Sequence, residues 1–207
     1  MDAGLDRLAR LLPPPPGEVA APPWERSRAE VGFDFPEDYR RFVDRYGAGY
    51  VVSDSSSTEF SIRAPQGGER RPGESGGFRG FIDKHVTEDR PLFVFDGADE
   101  GYWGGIVYPV YPDEGGVLTW GESDVGDVFF WLTEGSDPDK WPVVMWPRNL
   151  DESFRFDGGI VDFLLAVFSG LHPASPWLSG ARLKWTMTSD WLRRGLEVSA
   201  GPADRTG

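Results

Sequence analysis

The sequence contains no cysteine and only two histidines, which removes several kinds of functional site at once. Without cysteine there can be no disulfide, no cysteine-ligated zinc and no thiol nucleophile. The two histidines, His85 and His172, do not form the H-E-x-x-H pattern of zinc proteases, and we expect both at surface or loop positions. No lysine follows the glycine pattern of a phosphate-binding loop. We therefore expect neither a metal ion nor a cofactor.

Long apolar runs are also missing from the chain. No stretch approaches the roughly 18 apolar residues that a membrane-spanning helix needs. The apolar run near the start of the chain is short and interrupted by charged residues, which is not typical of a signal peptide. We therefore expect a soluble, cytoplasmic protein that has no membrane partner.

Basic residues are scarce where acidic residues are most frequent. The chain has a formal net charge of −13, and residues 83–162, with 18 acidic and five basic residues, carry a charge of that size by themselves. Such a segment would repel phosphates, so we do not expect direct binding of nucleic acid. A basic partner would be attracted to it. A solvated acidic surface that only aids solubility remains the alternative.

The length and the aromatic content predict one domain with a large core. The chain has 207 residues, among them 14 Phe, nine Trp and six Tyr, and aromatic side chains contribute strongly to core packing. We see no internal repeat. We expect most of the tryptophans to be buried rather than to stack on a ligand, namely Trp103, Trp120, Trp131, Trp141 and Trp146.

Apolar residues recur with a helical period in four segments, and these predict four helices. The segments are residues 5–12, 24–31, 37–46 and 159–169. The second and third are each followed by a glycine, which commonly ends a helix. For the fourth helix we expect Asp157 to be the N-cap, because an aspartate side chain can accept hydrogen bonds from free N–H groups.

β-Branched and aromatic runs bounded by polar turns predict the strands of a sheet. The predicted strands lie within residues 50–52, 60–62, 91–95, 102–111, 117–120, 128–132, 143–146 and 154–156. The run 128–132 is apolar at every position, so we expect a central strand buried on both faces. Residues 64–80 contain six glycines and two prolines, a composition that predicts a mobile loop.

The polar stretch G-E-S-D-V-G-D joins two of these strands. We expect Gly121 and Gly126 to supply positive φ angles, and Asp127 to accept hydrogen bonds from nearby backbone N–H groups. These are structural roles that turns commonly require. The alternative is that Glu122, Asp124 and Asp127 bind a metal ion or perform acid–base chemistry.

Several short motifs follow one another in a characteristic order. They are W-E and V-G within residues 24–32, F-P-E-D-Y-R-R-F at 35–42, Y-G-A-G at 46–49, the glycine–aspartate turn at 121–127, W-P-V-V-M-W at 141–146 and the helix near 159–168. This order resembles the Smi/Knr-like domains of the SUKH superfamily. The resemblance covers about residues 24–170, while the loop 64–80 and an extension over residues 171–207 depart from it. It implies an α+β fold, in which N-terminal and C-terminal helices pack on a largely antiparallel sheet.

The resemblance also implies a function. Many bacterial members of this superfamily are immunity proteins, which bind and neutralise a toxin domain of a polymorphic toxin system, often a nuclease; other members are regulatory scaffolds. It therefore implies a non-enzymatic protein without catalytic residues, and the acidic middle of the chain would suit a basic toxin domain. A regulatory scaffold and a carboxylate-dependent hydrolase remain the alternatives.

Two predicted turns supply the candidate residues for binding such a partner. Acidic side chains would steer the partner, and aromatic side chains would hold it, as they do at interface hot spots. The candidates are Asp96, Asp99 and Glu100 on one turn, Tyr102 and Trp103 as the nearest aromatic anchors, and Glu122 and Asp124 on the other turn. The sequence determines neither whether the two turns share a face nor the oligomeric state.

Overall fold

The structure is a computed structural model, and it describes residues 3–54, 56–65, 77–78, 82, 92–95, 105–148, 153–172, 182–188 and 191. The helices are α1 (Ala3–Leu11), α2 (Trp24–Val31), α3 (Glu37–Tyr46) and α4 (Ile160–Phe168), with a short 3-10 helix at Pro138–Lys140. The strands are β1 (Gly49–Ser53), β2 (Ser56–Ile62), β3 (Leu92–Phe95), β4 (Gly105–Tyr108), β5 (Val117–Ser123), β6 (Val128–Leu132), β7 (Val143–Trp146), β8 (Phe154–Phe156) and β9 (Leu183–Met187).

Seven of these strands form one sheet, in the order β8-β7-β6-β5-β2-β1-β9. Every neighbouring pair in it is antiparallel, and β3 and β4 form a separate antiparallel pair. With helices flanking an antiparallel sheet, the fold is of the predicted α+β class. The prediction of the fold class is therefore confirmed.

The three N-terminal helices lie where the apolar period predicted them. In α3 the tyrosines, Phe42 and Val43 are all buried, while the acidic residues of its first turn and Arg45 in its last turn match the helix dipole. The helix ends at Gly47, whose N–H donates to the carbonyl of Val43 at 2.8 Å. Helix α2 ends in the same manner at Gly32, which has a φ of +84°.

Strand β6 is buried on both sides, as its sequence predicted. On the face against which the helices pack, which we call the inner face, Phe129 and Trp131 join the main core. On the opposite, outer face, Phe130 and Leu132 pack with Val117. A strand with no polar position can be stable here because apolar neighbours cover both of its faces.

The inner face holds an aromatic core that gathers distant parts of the chain. The ring of Trp131 stacks on Phe78 at 5.6 Å and meets the edge of Tyr39 at 5.2 Å. Phe78 lies within the segment predicted as a loop, yet its side chain is fully buried; most of that segment lies outside the described residues. Leu8 of α1 and Trp185 of β9 belong to the same core.

Strand β9 is an element that the sequence analysis did not predict. It pairs antiparallel with β1, with Val51 opposite Trp185. The indole N–H of Trp185 donates to the backbone carbonyl of Tyr46 at 2.7 Å, and so connects β9 to the end of α3. The segment after residue 170, predicted to be an extension, thus contributes both a strand and a buried side chain to the core.

The N-cap predicted for α4 is wrong. The cap position is Gly159, and Asp157 instead accepts a hydrogen bond from Arg155 Nε at 2.8 Å. The N–H of Val161 donates to Asp38 Oδ2 on α3, at 3.2 Å. A Cβ at position 159 would lie 2.1 Å from that oxygen, so only glycine lets the distant carboxylate reach the helix.

The predictions for the tryptophans and histidines were partly correct. Trp120, Trp131 and Trp141 are buried as predicted, and Trp146 is half-buried. His172 lies in a loop after α4, one of the two positions predicted for it, but it is buried rather than at the surface: it is 9% exposed, and its ring lies 5.1 Å from that of Phe163. The rings of Phe154 and Phe156 on β8 also lie beside it, at 5.8 and 6.4 Å. Trp103 and His85 lie outside the described residues.

Candidate functional site

The turn between β5 and β6 is tighter than the sequence suggested. Strand β5 continues to Ser123, whose N–H donates to the carbonyl of Asp127 at 2.8 Å, so three residues form the loop. Gly126 has a φ of +99°, which confirms its predicted role. The prediction for Gly121 is wrong, because it is not a positive-φ glycine. A Cβ there would lie 2.9 Å from the carbonyl oxygen of Ser61, so this glycine permits the close approach of β2.

Asp127 holds the turn in a different way from the one predicted. Its buried carboxylate accepts a hydrogen bond from the backbone N–H of Arg148 at 3.0 Å, just beyond the end of β7. The bond within the turn comes from Ser123 instead, whose hydroxyl accepts from the N–H of Asp127 at 2.9 Å. The guanidinium of Arg148 also donates to the carbonyl of Val125 at 3.2 Å. These contacts fix the turn against the neighbouring strand.

Asp124 is fixed on the other side of the turn, by strand β2. Its backbone N–H donates to the carbonyl of Glu59, and its Oδ1 accepts from the N–H of Glu59, both at 3.0 Å. A backbone donor therefore orients this exposed carboxylate. A charge that is already ordered loses less conformational entropy when a partner binds.

Three carboxylates and one apolar side chain therefore share this surface, which we call the acidic turn: Glu59, Glu122, Asp124 and Val125. Val125 is 40% exposed, unusual for a large apolar residue in the described part of the chain. The Glu122 carboxylate lies 4.0 Å from the mostly buried Arg63, and the Arg148 guanidinium reaches the same turn at the carbonyl of Val125. These two cations offset the charge of the three carboxylates only in part. The surface can attract a cationic partner and offer it an apolar contact.

The structure locates two of the seven predicted partner-binding residues. Glu122 and Asp124 lie on the acidic turn, and Asp124 is also a structural residue. The other five, whose position relative to this turn stays a prediction, lie outside the described residues: Asp96, Asp99, Glu100, Tyr102 and Trp103. Sequence reasoning missed Glu59, because only the pairing of β2 with β5 brings it to the turn.

A second acidic group lines a cleft of about 520 Å³ at the start of α3 and α4. Its lining includes Glu37, Asp38, Arg41, Asp139 and Asp162. The two oxygens of Asp38 accept hydrogen bonds from the N–H groups of Tyr39 and Val161, at 2.7 and 3.2 Å. Asp139 likewise accepts from the N–H of Glu37 at 2.6 Å. Burial raises the pKa of the Asp38 carboxyl. These carboxylates serve as helix caps, a structural role.

Among the described residues, no three His, Asp or Glu side chains are placed to hold a metal ion together. None of the described helices has the length and apolar character needed to cross a bilayer. Comparison of the chain with protein-family models, with curated proteins and with solved structures gives no match.

Proposed function

We propose that this protein is an immunity protein, which binds and neutralises a basic, nuclease-type toxin domain of a bacterial polymorphic toxin system without catalysing a reaction. The resemblance of residues 24–170 to Smi/Knr-like domains supports this proposal. An α+β fold serves many unrelated functions, so the fold itself contributes little to the argument. The observation that carries the proposal is the acidic turn, which brings Glu59, Glu122 and the backbone-fixed Asp124 to the part of the sheet where Val125 is exposed.

In the proposed complex the acidic turn acts mainly on the rate of association. Its carboxylates attract a cationic surface before contact, and this attraction weakens as salt screens it. Val125 then loses its exposed surface to the partner, which slows dissociation. The predicted turn with Asp96, Asp99 and Glu100 would add to the attraction, and Tyr102 and Trp103 would supply aromatic contacts.

The test uses variants that remove charge without breaking the turn. Asp124→Asn keeps the side-chain oxygen that accepts from Glu59, and Glu122→Gln keeps the shape of its side chain. Surface plasmon resonance should measure binding to the toxin domain encoded beside the gene. We expect the double variant to associate about threefold or more slowly at low salt, and the difference to shrink at high salt. Glu25→Gln, on the exposed side of α2, is the single-charge control.

Two outcomes would contradict different parts of the proposal. If the wild-type protein neither binds that toxin domain nor rescues cells that express it, the immunity function is wrong for this pair. If it binds, but the double variant associates at the wild-type rate in low salt, the function stands and the acidic turn is not the docking surface. Measured dissociation rates separate a lost steering charge from a lost contact.

A further inference from the structure

The two edges of the seven-stranded sheet differ in how they are protected. The edge strand β8 is three residues long, and its central Arg155 is paired with Glu134 through two hydrogen bonds of 2.9 and 3.0 Å. The other edge strand, β9, has five residues and no proline or bulge. Short length and charge make β8 a poor template for another strand, whereas β9 lacks most of these protections.

The direction of the backbone groups of β9 follows from its pairing with β1. The N–H of Thr188 donates to the carbonyl of Ala48, and the carbonyl of Arg182 accepts from the N–H of Asp54, both at 3.1 Å. Because hydrogen-bonding direction alternates along a strand, the even-numbered residues face β1. The N–H and C=O groups of Leu183, Trp185 and Met187 therefore point away from the sheet, and no described strand pairs with them.

We propose that this edge pairs with β9 of a second copy of the chain, antiparallel and across a two-fold axis at Trp185. In this register Leu183 lies opposite Met187 of the second copy, and Trp185 lies opposite Trp185 of the second copy. These are hydrogen-bonded pairs, so the three outward-facing residues of each strand find donors and acceptors in the other. The two sheets become one sheet across the axis.

The side chains fit the same register. Leu183 and Trp185 belong to the inner-face core and Met187 packs partly against it, so the apolar layer continues across the axis. On the outer face, Lys184 lies opposite Thr186 of the second copy, and no two like charges meet. A slip of the register by two residues in one direction would place Lys184 opposite Lys184 of the second copy, and a slip in the other direction would leave Leu183 without a partner in the second β9; both would be less stable. This self-complementarity favours a second copy over an unrelated strand.

The negative charge of the protein does not prevent this pairing. The acidic turn belongs to β5 and β2, and the nearer of these strands, β2, is separated from β9 by two strand spacings, about 10 Å. That distance exceeds the screening length of about 8 Å at physiological salt. Two five-residue edges bury less area than a stable dimer usually does, so the dimer dissociates on dilution.

Two opposite changes at one half-buried position test the pairing. Thr186→Lys places a second positive charge opposite Lys184 of the other copy, and Thr186→Glu places a negative charge there. We expect sedimentation equilibrium to show a dimer dissociation constant that is about tenfold higher for Thr186→Lys and several-fold lower for Thr186→Glu. The same changes at the exposed Ser136, in the loop after β6, control for net charge and should leave the constant near that of the wild type.

Hydrogen exchange provides a second measurement that does not depend on the variants. In the wild type, the amide protons of Leu183, Trp185 and Met187 should exchange more slowly as the protein concentration rises, while those of Lys184 and Thr186 should not change. A wild-type protein that is monomeric at every accessible concentration would overturn the proposal. The proposal would also be overturned if both Thr186 variants changed the dimer dissociation constant in the same direction. The same holds if the protein dimerises but its β9 amide protons exchange at a rate that does not depend on protein concentration.

Discussion

The two faces of the seven-stranded sheet have different compositions, although the same strands form both. The inner face is apolar across β1, β2, β5, β6 and β7 and is covered by helices. The outer face changes along the sheet: it is apolar over β5, β6 and β7, where Val117, Phe130 and Val144 cluster, and polar over β2 and β9, where Ser61 and Lys184 lie. The inner face therefore determines which helices dock, whereas the outer face presents polar side chains over β2 and β9 in the described part of the chain.

The largest expected effect is on the inner face, at Phe163. Its ring lies 5.9 Å from Trp120, 5.8 Å from Phe129 and 5.1 Å from His172, and it is fully buried. We expect Phe163→Ala to lower the free energy of unfolding by about 3–5 kcal/mol, because the rigid aromatic neighbours cannot fill the cavity. Urea denaturation measures this. An unchanged midpoint would show that α4 does not pack on the sheet as described.

The second prediction compares the two faces directly, through neighbouring valines on β7. Val143 belongs to the inner core and Val144 to the outer cluster, and both are at most 1% exposed. We expect Val143→Ala to cost about 2–3 kcal/mol and Val144→Ala about 1–2 kcal/mol, since the small outer cluster relaxes more easily around a cavity. The two unfolding free energies are measured under identical conditions. An equal or larger cost for Val144 would mean that the outer cluster is as rigid as the core.

The third prediction concerns the acidic turn, which joins β5 to β6 beside the polar strand β2. Gly126→Ala should cost about 1–2 kcal/mol, because alanine is strained at a φ of +99° and its Cβ would lie 2.7 Å from Arg148 Cδ. Gly17→Ala is the matched control: its φ is +94°, and nothing lies within 4 Å of the added Cβ. The difference between the two variants in thermal unfolding isolates the contact with Arg148. Equal losses of stability in the two variants would show that the Arg148 side chain moves away from the added Cβ at no measurable cost.

The smallest effect is expected at His172, at the border of the inner face. Burial beside aromatic rings lowers the pKa of its imidazole from 6.5. The unfolded chain therefore binds a proton at a higher pH than the folded protein does. Stability is lost as the pH falls from 6.5 through the lowered pKa, and is retained above 6.5. His172→Gln should remove this part of the pH dependence, measured as unfolding free energy from pH 8 to 5. If the wild type and the His172→Gln variant lost the same unfolding free energy as the pH falls, this prediction would be wrong.

The elements that the sequence predicted well are those whose signals are local. Helix α3 and strand β6 each carry their period, their apolar residues and their terminal signals within one segment, and both lie where they were predicted. Gly126 is also local, because the turn that needs its positive φ is formed by its neighbours. Local propensity and tertiary packing agree at these places.

The elements that the sequence did not predict depend on contacts between distant segments. Strand β9 has only five residues and becomes a strand by pairing with β1. The cap of α4 comes from Asp38, 123 positions earlier, and Glu59 reaches the acidic turn only through the β2–β5 pairing. In each case the role of the residue or strand depends on a contact with a distant segment, and the local sequence does not indicate that contact.

The pairing of β1 with β9 has a kinetic consequence. The hydrogen bond from the hydroxyl of Thr188 to the carbonyl of Ala48 joins residues 140 positions apart. Forming a contact between such distant residues closes a long loop, and the chain entropy is lost before the contact contributes any stability. Folding should therefore be slow for a domain of this size. During synthesis β1 emerges long before β9 and keeps an unsatisfied edge throughout that interval. A nascent chain is then most prone to misassembly, and a chaperone that shields β1 would have its greatest effect.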